Sequence, residues 1–264
     1  MSQWLFAERG LDRLAKLCNE PFLIAFDFDG TLAGLVDDPC KAEIPHTWRK
    51  SLESLVLRVP VAVISGRGVT DLNDKLGIHG CAVVGNHGAQ TPVNEAFSND
   101  YDWIEALAPI REQIRSQRST WEVMGVTVED KAYSIALHYR NSAQKNSTRI
   151  FLERMVKHYQ QAHTSLRLPP LHVWKGHDVI NIASAYAPDK GDALLSLLRK
   201  FNVTSALYVG DDSNDEPAFE KLPPGSITIR IGTVKSAAQF YLHKQNEVGS
   251  LLTYLVRNVC CAQQ

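Results

Sequence analysis

The chain repeats one local pattern, a short apolar run that stops in a cluster of small polar residues. Phe22 to Phe26 runs into Asp27, Val59 to Ile64 into Ser65-Gly66-Arg67, and Cys81 to Val84 into Gly85-Asn86-His87-Gly88. Ala206 to Val209 enters Gly210-Asp211-Asp212, and Ile227 to Ile231 is a further run of this kind. These runs do not alternate and are rich in Val, Ile and Phe, which suits strands covered on both faces of a parallel sheet. Helical periodicity lies between them. Trp48, Leu52, Leu55 and Val56 share one face, and a second helix is expected from near Asp189, with Leu194, Leu197, Leu198 and Phe201. Strand and helix in alternation imply a doubly wound α/β core, with its ligand site beyond the carboxyl ends of the strands. The polar clusters should converge there.

The pattern changes between residues 91 and 187. Trp121 to Asp130 and Lys131 to Arg140 read as two longer, partly alternating strands around a Glu-Asp-Lys turn. A helix with Phe151, Met155 and Tyr159 follows, then strands near Leu171 to Trp174 and Val179 to Ile182. Antiparallel strands with a helix predict a separate α+β lobe. The expected organisation is a core from residues 1–90 and 188–264, interrupted by this lobe.

Composition narrows the function. At 264 residues and 44% hydrophobic, the chain can bury a core without disulfides or structural metals. The balance of 28 Lys+Arg against 29 Asp+Glu shows no basic excess for nucleic acid. No apolar run approaches a membrane span, and charges interrupt the first residues where a signal peptide would be apolar. Five scattered cysteines, with Cys260 and Cys261 adjacent near the end and no CxxC pair, fit a reducing compartment. The expectation is a cytoplasmic protein, a monomer or weak homo-oligomer, acting on a small molecule.

The chemistry lies in the polar clusters. Asp27-Phe28-Asp29-Gly30-Thr31 places one carboxylate at a strand end and a second two residues on. One could attack phosphorus while the other protonates the leaving oxygen and later activates water. Asp211, Asp212 and Asp215 follow another strand, and five carboxylates at one sheet edge call for a cation. Oxygen ligands from carboxylates, waters and a substrate phosphate describe a magnesium site. Ser65 and the Gly66 amide offer donors to phosphoryl oxygens, and Lys190 offers a positive charge. His87 faces the same end, either as a phosphate contact or as a satisfied structural histidine.

In the order DxDGT, SGR, Lys, GDDxxD, these pieces resemble the motifs of the haloacid dehalogenase superfamily. The resemblance implies that Asp27 is the nucleophile and Asp29 the general acid/base. It implies that Ser65 and Lys190 bind phosphate, that Asp27, Asp29 and Asp211 hold Mg2+ with Asp215 in support, and that the inserted lobe is a type-2B cap. Ile64-Ser65-Gly66-Arg67, Gly85-Asn86-His87-Gly88-Ala89, Ala136-Leu137-His138-Tyr139-Arg140, and Gly210-Asp211-Asp212 through Phe219 are similar to trehalose-6-phosphate phosphatases. The implied activity is hydrolysis of that sugar phosphate; another sugar-phosphate phosphatase and a sugar phosphomutase are the alternatives. A non-catalytic sensor would have no need of a nucleophile.

The sequence departs from that family at one place. A cap strand before the motif lysine usually reads close to Gly-Lys-x-Val-x-Glu-Ile-Lys-Pro. Here Gly176-His177-Asp178-Val179-Ile180-Asn181-Ile182-Ala183-Ser184 stands instead, so His177, Asn181 and Ala183 replace the charged residues. Candidate substrate contacts are therefore Gly66, Arg67, His87, Arg140, His177 and Asn181.

Overall fold

A computed structural model describes residues 2–36, 38–90, 100–176 and 178–259. The chain divides into two units, Met1–Val93 with Pro188–Gln264, and Asn94–Ala187.

The first unit begins with β1 (Gln3–Trp4), α1 (Glu8–Leu17), β2 (Leu23–Phe26), α2 (His46–Val56), β3 (Val61–Ile64), α3 (Val69–Leu76) and β4 (Ala82–Val84). The second contains α4 (Asp100–Ala106), α5 (Ala108–Ser116), α6 (Arg118–Val123), β5 (Thr127–Asp130), β6 (Ser134–His138), α7 (Lys145–Ser165), β7 (Leu171–Gly176) and β8 (Val179–Ser184). The first unit resumes with α8 (Lys190–Lys200), β9 (Ala206–Gly210), α9 (Glu216–Lys221), β10 (Ile227–Ile231), β11 (Phe240–Leu242) and α10 (Glu247–Asn258).

Seven strands of the first unit form one parallel sheet in the order β1-β11-β10-β9-β2-β3-β4. Its central strands are buried along their whole length. Side chains of a strand alternate between faces, and the packing follows. Ile24, Phe26, Val61, Val63, Leu207 and Val209 pack on the side of α1, α2 and α10. Leu23, Ala25, Ala62, Ile64, Ala206 and Tyr208 pack on the side of α8 and α9. This is the doubly wound core the runs predicted. The register aligns Phe26 with Val63 on one side and Val209 on the other, so β2, β3 and β9 end nearly level.

The second unit has an antiparallel sheet, β5-β6-β8-β7, with Ile135, Leu137, Ile180 and Ile182 packed beneath its helices. Two expectations need correction. The stretch from Trp121 to Val123 is helical, and only Thr127–Asp130 of the first expected strand pairs. Trp121 is buried there, donating its indole N–H to Ile114 O at 2.9 Å, and Gly125 then turns the chain at φ +68. On α7 the buried stripe is Leu152, Val156, Tyr159 and His163, while Phe151 is exposed. A 3.6-residue repeat carries the stripe one position past Phe151 and Met155. Among the described residues no helix is long and apolar enough to cross a membrane.

Candidate active site

Asp27 follows the last residue of β2, and its amide donates to Val209 O at 2.8 Å, continuing the sheet by one bond. This fixes its backbone between two strands and leaves the side chain 5% exposed as a residue. The next residues turn sharply, with Gly30 N to Ala33 O and Ala33 N to Phe28 O both at 2.8 Å. Gly30 has φ +83, and a Cβ there would lie 2.1 Å from Asp211 Oδ2. A glycine is required by conformation and by space.

Lys190 opens α8 and is 1% exposed. Asp189 caps that helix, accepting from the amides of Gly191 and Asp192 at 2.9 and 3.0 Å. Lys221 bridges Asp189 and Asp192, both at 2.8 Å. With the helix start held this way, Lys190 Nζ reaches Asp27 Oδ1 at 2.9 Å and Asp215 Oδ1 at 2.7 Å.

Asp215 is fully buried, and four donors converge on it. Lys190 and the Tyr208 hydroxyl (2.6 Å) donate to Oδ1, and the amides of Asp211 and Asp212 (2.9 and 3.0 Å) donate to Oδ2. A carboxylate offers about four lone-pair sites, so Asp215 is already satisfied by protein. It braces the loop after β9 against Lys190. Asp211 accepts from the buried Thr31 hydroxyl at 3.4 Å.

Ligand oxygens of Asp27, Asp211 and Asp215 lie within 4.8 Å of one another. Only two of the five expected carboxylates stand apart. Asp212 turns back to cap the following turn, accepting from Ser213 N at 2.7 Å. Asp29 is held by Arg67, whose Nε and Nη2 donate to its two oxygens at 2.6 Å each.

Electrostatics follow from burial and crowding. Desolvation pushes the Asp27 carboxyl well above its ordinary range; Lys190 opposes this, and Asp215 and Asp211 add to it. Burial, then the charge of Asp215, lifts Asp211 to about 6. For Lys190, burial works against the charge, but Asp215 and Asp27 outweigh it and the ammonium is held more firmly than usual. Three clustered carboxylates share one lysine, so part of their negative charge is left without a protein cation beside it. A hard divalent cation with oxygen ligands fits such a donor set, in which Asp27 and Asp211 have carboxylate oxygens to offer.

The remaining candidates lie as follows. Ser65, 1% exposed, stands just beyond β3, with its hydroxyl accepting from Arg67 N at 3.2 Å. Ser65 opens the four-residue loop between β3 and α3. His87 adopts φ +57, packs against the α-carbon of Gly66, and donates its amide to Ser65 O at 2.9 Å. Arg67 is committed to Asp29, to Asp71 (2.9 Å) and to Pro39 O (2.9 Å). In the second unit, Asn181 is buried on β8, paired with Ala136 and Trp174 on the sheet face away from the helices, which it shares with His138. Arg140 is exposed past the end of β6, while Tyr139 packs inward. His177, Cys260 and Cys261 lie outside the described residues.

Sequence reasoning missed Tyr208 and Thr31. A tyrosine within an otherwise aliphatic central strand was the available signal for the first. Thr31 closes the Asp27-Phe28-Asp29-Gly30-Thr31 segment, and a lone threonine beside two aspartates gives no signal of its own.

The architecture and the strand-end constellation define the class. A Candida albicans trehalose-6-phosphate phosphatase C-terminal domain superposes with TM-score 0.75 at 20% identity, covering 97% of this chain and 98% of that one. The C-terminal domain of a Candida albicans trehalose synthase regulatory protein gives TM-score 0.67 at 15% identity, covering 93% and 97%. This chain therefore shares the fold of these two domains. The sequence profile of Trehalose-phosphatase matches residues 25–246. The chain belongs to the trehalose-phosphatase family. A trehalose-phosphate phosphatase of Mycobacterium bovis (strain BCG / Pasteur 1173P2) is 29% identical over 248 residues, covering 89% of this chain and 61% of the relative. The chain thus spans about three-fifths of the length of such curated relatives.

Proposed function

We propose that this chain is a magnesium-dependent phosphatase that hydrolyses trehalose 6-phosphate to trehalose and inorganic phosphate through an aspartyl-phosphate on Asp27. The observation that carries the proposal is the buried Asp27, oriented by Lys190 at 2.9 Å with Asp211 beside it. Family membership supports the substrate.

Asp27 attacks phosphorus, and the bond from phosphorus to the sugar oxygen breaks. Asp29 gives its proton to that oxygen as it leaves. Asp29 then takes a proton from water, the water oxygen attacks the aspartyl-phosphate, and the Asp27 carboxylate is released with inorganic phosphate. Lys190 and the Ser65 hydroxyl steady the phosphoryl oxygens. Asp27 and Asp211, with Asp215 bracing the loop, would hold magnesium, which would supply positive charge to the phosphoryl group. Sugar selectivity is assigned to polar side chains of the second unit, first Asn181 and His177, then Arg140 and His138.

A regulatory protein shares the fold, so the fold alone does not choose between catalysis and sensing. The complete set of Asp27, Asp29, Lys190 and Asp211 favours catalysis. The test is phosphate release from trehalose 6-phosphate, glucose 6-phosphate and p-nitrophenyl phosphate, with and without magnesium, by the native chain and Asp27→Asn. The proposal expects magnesium-dependent release with trehalose 6-phosphate preferred, and none from the variant. A phosphomutase would return an isomeric sugar phosphate instead of free phosphate, and a sensor would release none.

A further inference from the structure

We propose that Arg67 is a positioning residue that aims the Asp29 carboxylate, and that it is not a ligand of the substrate phosphate. The inference rests on the phosphatase reading above and concerns how its acid step is organised.

Arg67 and Asp29 are 38 residues apart and meet because β2 and β3 are neighbours ending at one level. The two 2.6 Å bonds run from Nε to Oδ2 and from Nη2 to Oδ1, a fork-to-fork pair. An isolated surface pair of this kind contributes little, since both side chains wander. Arg67 does not have that freedom. Its Nη1 is held by Asp71 on α3 at 2.9 Å, its Nη2 also donates to Pro39 O at 2.9 Å, and its guanidinium carbon lies 5.3 Å from the centre of the Phe28 ring. Its side chain is only 11% exposed, against 35% for Asp29.

The backbone behind it is fixed as well. Arg67 O accepts from Asn86 N at 2.8 Å, and Ser65 O from His87 N at 2.9 Å. A Cβ on Gly66 would lie 2.4 Å from the His87 ring, so the turn after β4 fits against this loop with no room for a side chain. Arg67 is thus a rigid support and Asp29 the accessible group it steers. The fork uses one lone pair on each carboxylate oxygen and leaves the others for a substrate oxygen or a proton. The same pair keeps Asp29 apart from the cluster of Asp27, Asp211 and Asp215.

Two roles for Arg67 have different consequences. A phosphate ligand would serve every phosphate ester alike. A residue that aims the acid matters in proportion to the leaving oxygen's need for a proton. Phenyl phosphate and p-nitrophenyl phosphate share the phosphoryl group and nearly the same shape, but phenolate is the more basic leaving group. The experiment measures kcat/KM on both esters, with magnesium, for the native chain, Arg67→Met, Arg67→Lys, Asp29→Asn and the double variant Asp29→Asn/Arg67→Met.

Arg67→Met should lose phenyl phosphate by about 10-fold or more beyond its loss on p-nitrophenyl phosphate, a fraction of the total available to general acid catalysis. Arg67→Lys, which keeps charge but not the fork, should show the same bias at smaller size. In the Asp29→Asn background the Arg67 substitution should add no further bias. Equal losses on the two esters, or an undiminished bias without the Asp29 carboxylate, would overturn the inference. If Arg67→Met does not fold, as judged by circular dichroism, Arg67→Lys decides by the same ratio. A native chain that hydrolyses neither ester would instead remove the phosphatase reading on which this inference stands.

Discussion

Tyr208→Phe removes one oxygen from the middle of the β-sheet and nothing else. That hydroxyl is fully buried and donates to Asp215 Oδ1 at 2.6 Å, one of four donors on the carboxylate. A hydrogen bond to a charged acceptor contributes roughly 1.5–3 kcal/mol, and the phenyl ring fills the same space, so the loss should be close to that range. For a domain of this size, about 2–4 °C of melting temperature accompanies each kcal/mol, which gives a drop of roughly 3–12 °C. Asp215 keeps Lys190 and two backbone amides, so the loop after β9 stays in place. Phosphatase kcat/KM should therefore fall by less than about tenfold, a loosened brace and not a lost catalytic group. The assay is thermal unfolding followed by circular dichroism in chelator, with Tyr186→Phe as a control because Tyr186 is 64% exposed. A variant as stable as the control would refute the idea that Tyr208 helps hold the buried carboxylate.

Other substitutions probe the same cluster. Lys190→Met removes the cation shared by Asp27 and Asp215, and breaking such a buried pair costs about 3–5 kcal/mol, so urea unfolding should shift to a clearly lower midpoint and turnover should vanish. Gly30→Ala puts a methyl group 2.1 Å from Asp211 Oδ2 at a left-handed backbone position, and magnesium should then be needed at a much higher concentration for half-maximal rate. Chelation should abolish activity, magnesium should restore it, and calcium should not, because calcium takes more ligands at longer distances. Full activity in chelator would contradict the reading of the carboxylate cluster.

Much of the core was legible because its central strands are buried on both faces. Such strands appear as unbroken apolar runs, and the residue that ends each run, Asp27, Ser65 or Asp211, is where the sheet stops. The edges were not legible. Gln3–Trp4 and Phe240–Leu242 are too short and too mixed to show a period, and they pair only because a neighbouring strand offers free bonds. The stretch at Trp121 was misread as strand since a few apolar residues carry no decisive period; its helix is settled by a contact with Ile114, which no local pattern reveals. The same limit governed the site. Residue type and spacing pointed to Asp27, Lys190 and Asp211, but the direction of Asp29 depends on Arg67, a partner brought by the next strand. Asp215 was expected only in support of the metal, and its saturation by Lys190, Tyr208 and two amides needed the folded loop to be seen.

The central claim is that Asp27 carries the phosphoryl group between substrate and water. Its most direct test is rapid acid quenching of the chain during turnover of trehalose 6-phosphate, followed by peptide digestion and mass spectrometry. The account expects a transient, alkali-labile phosphoryl group on the peptide containing Asp27, formed before phosphate is released and absent from Asp27→Asn. A chain that turns over while the phosphoryl group appears on another residue, or with no phosphorylated peptide at any time, would contradict it.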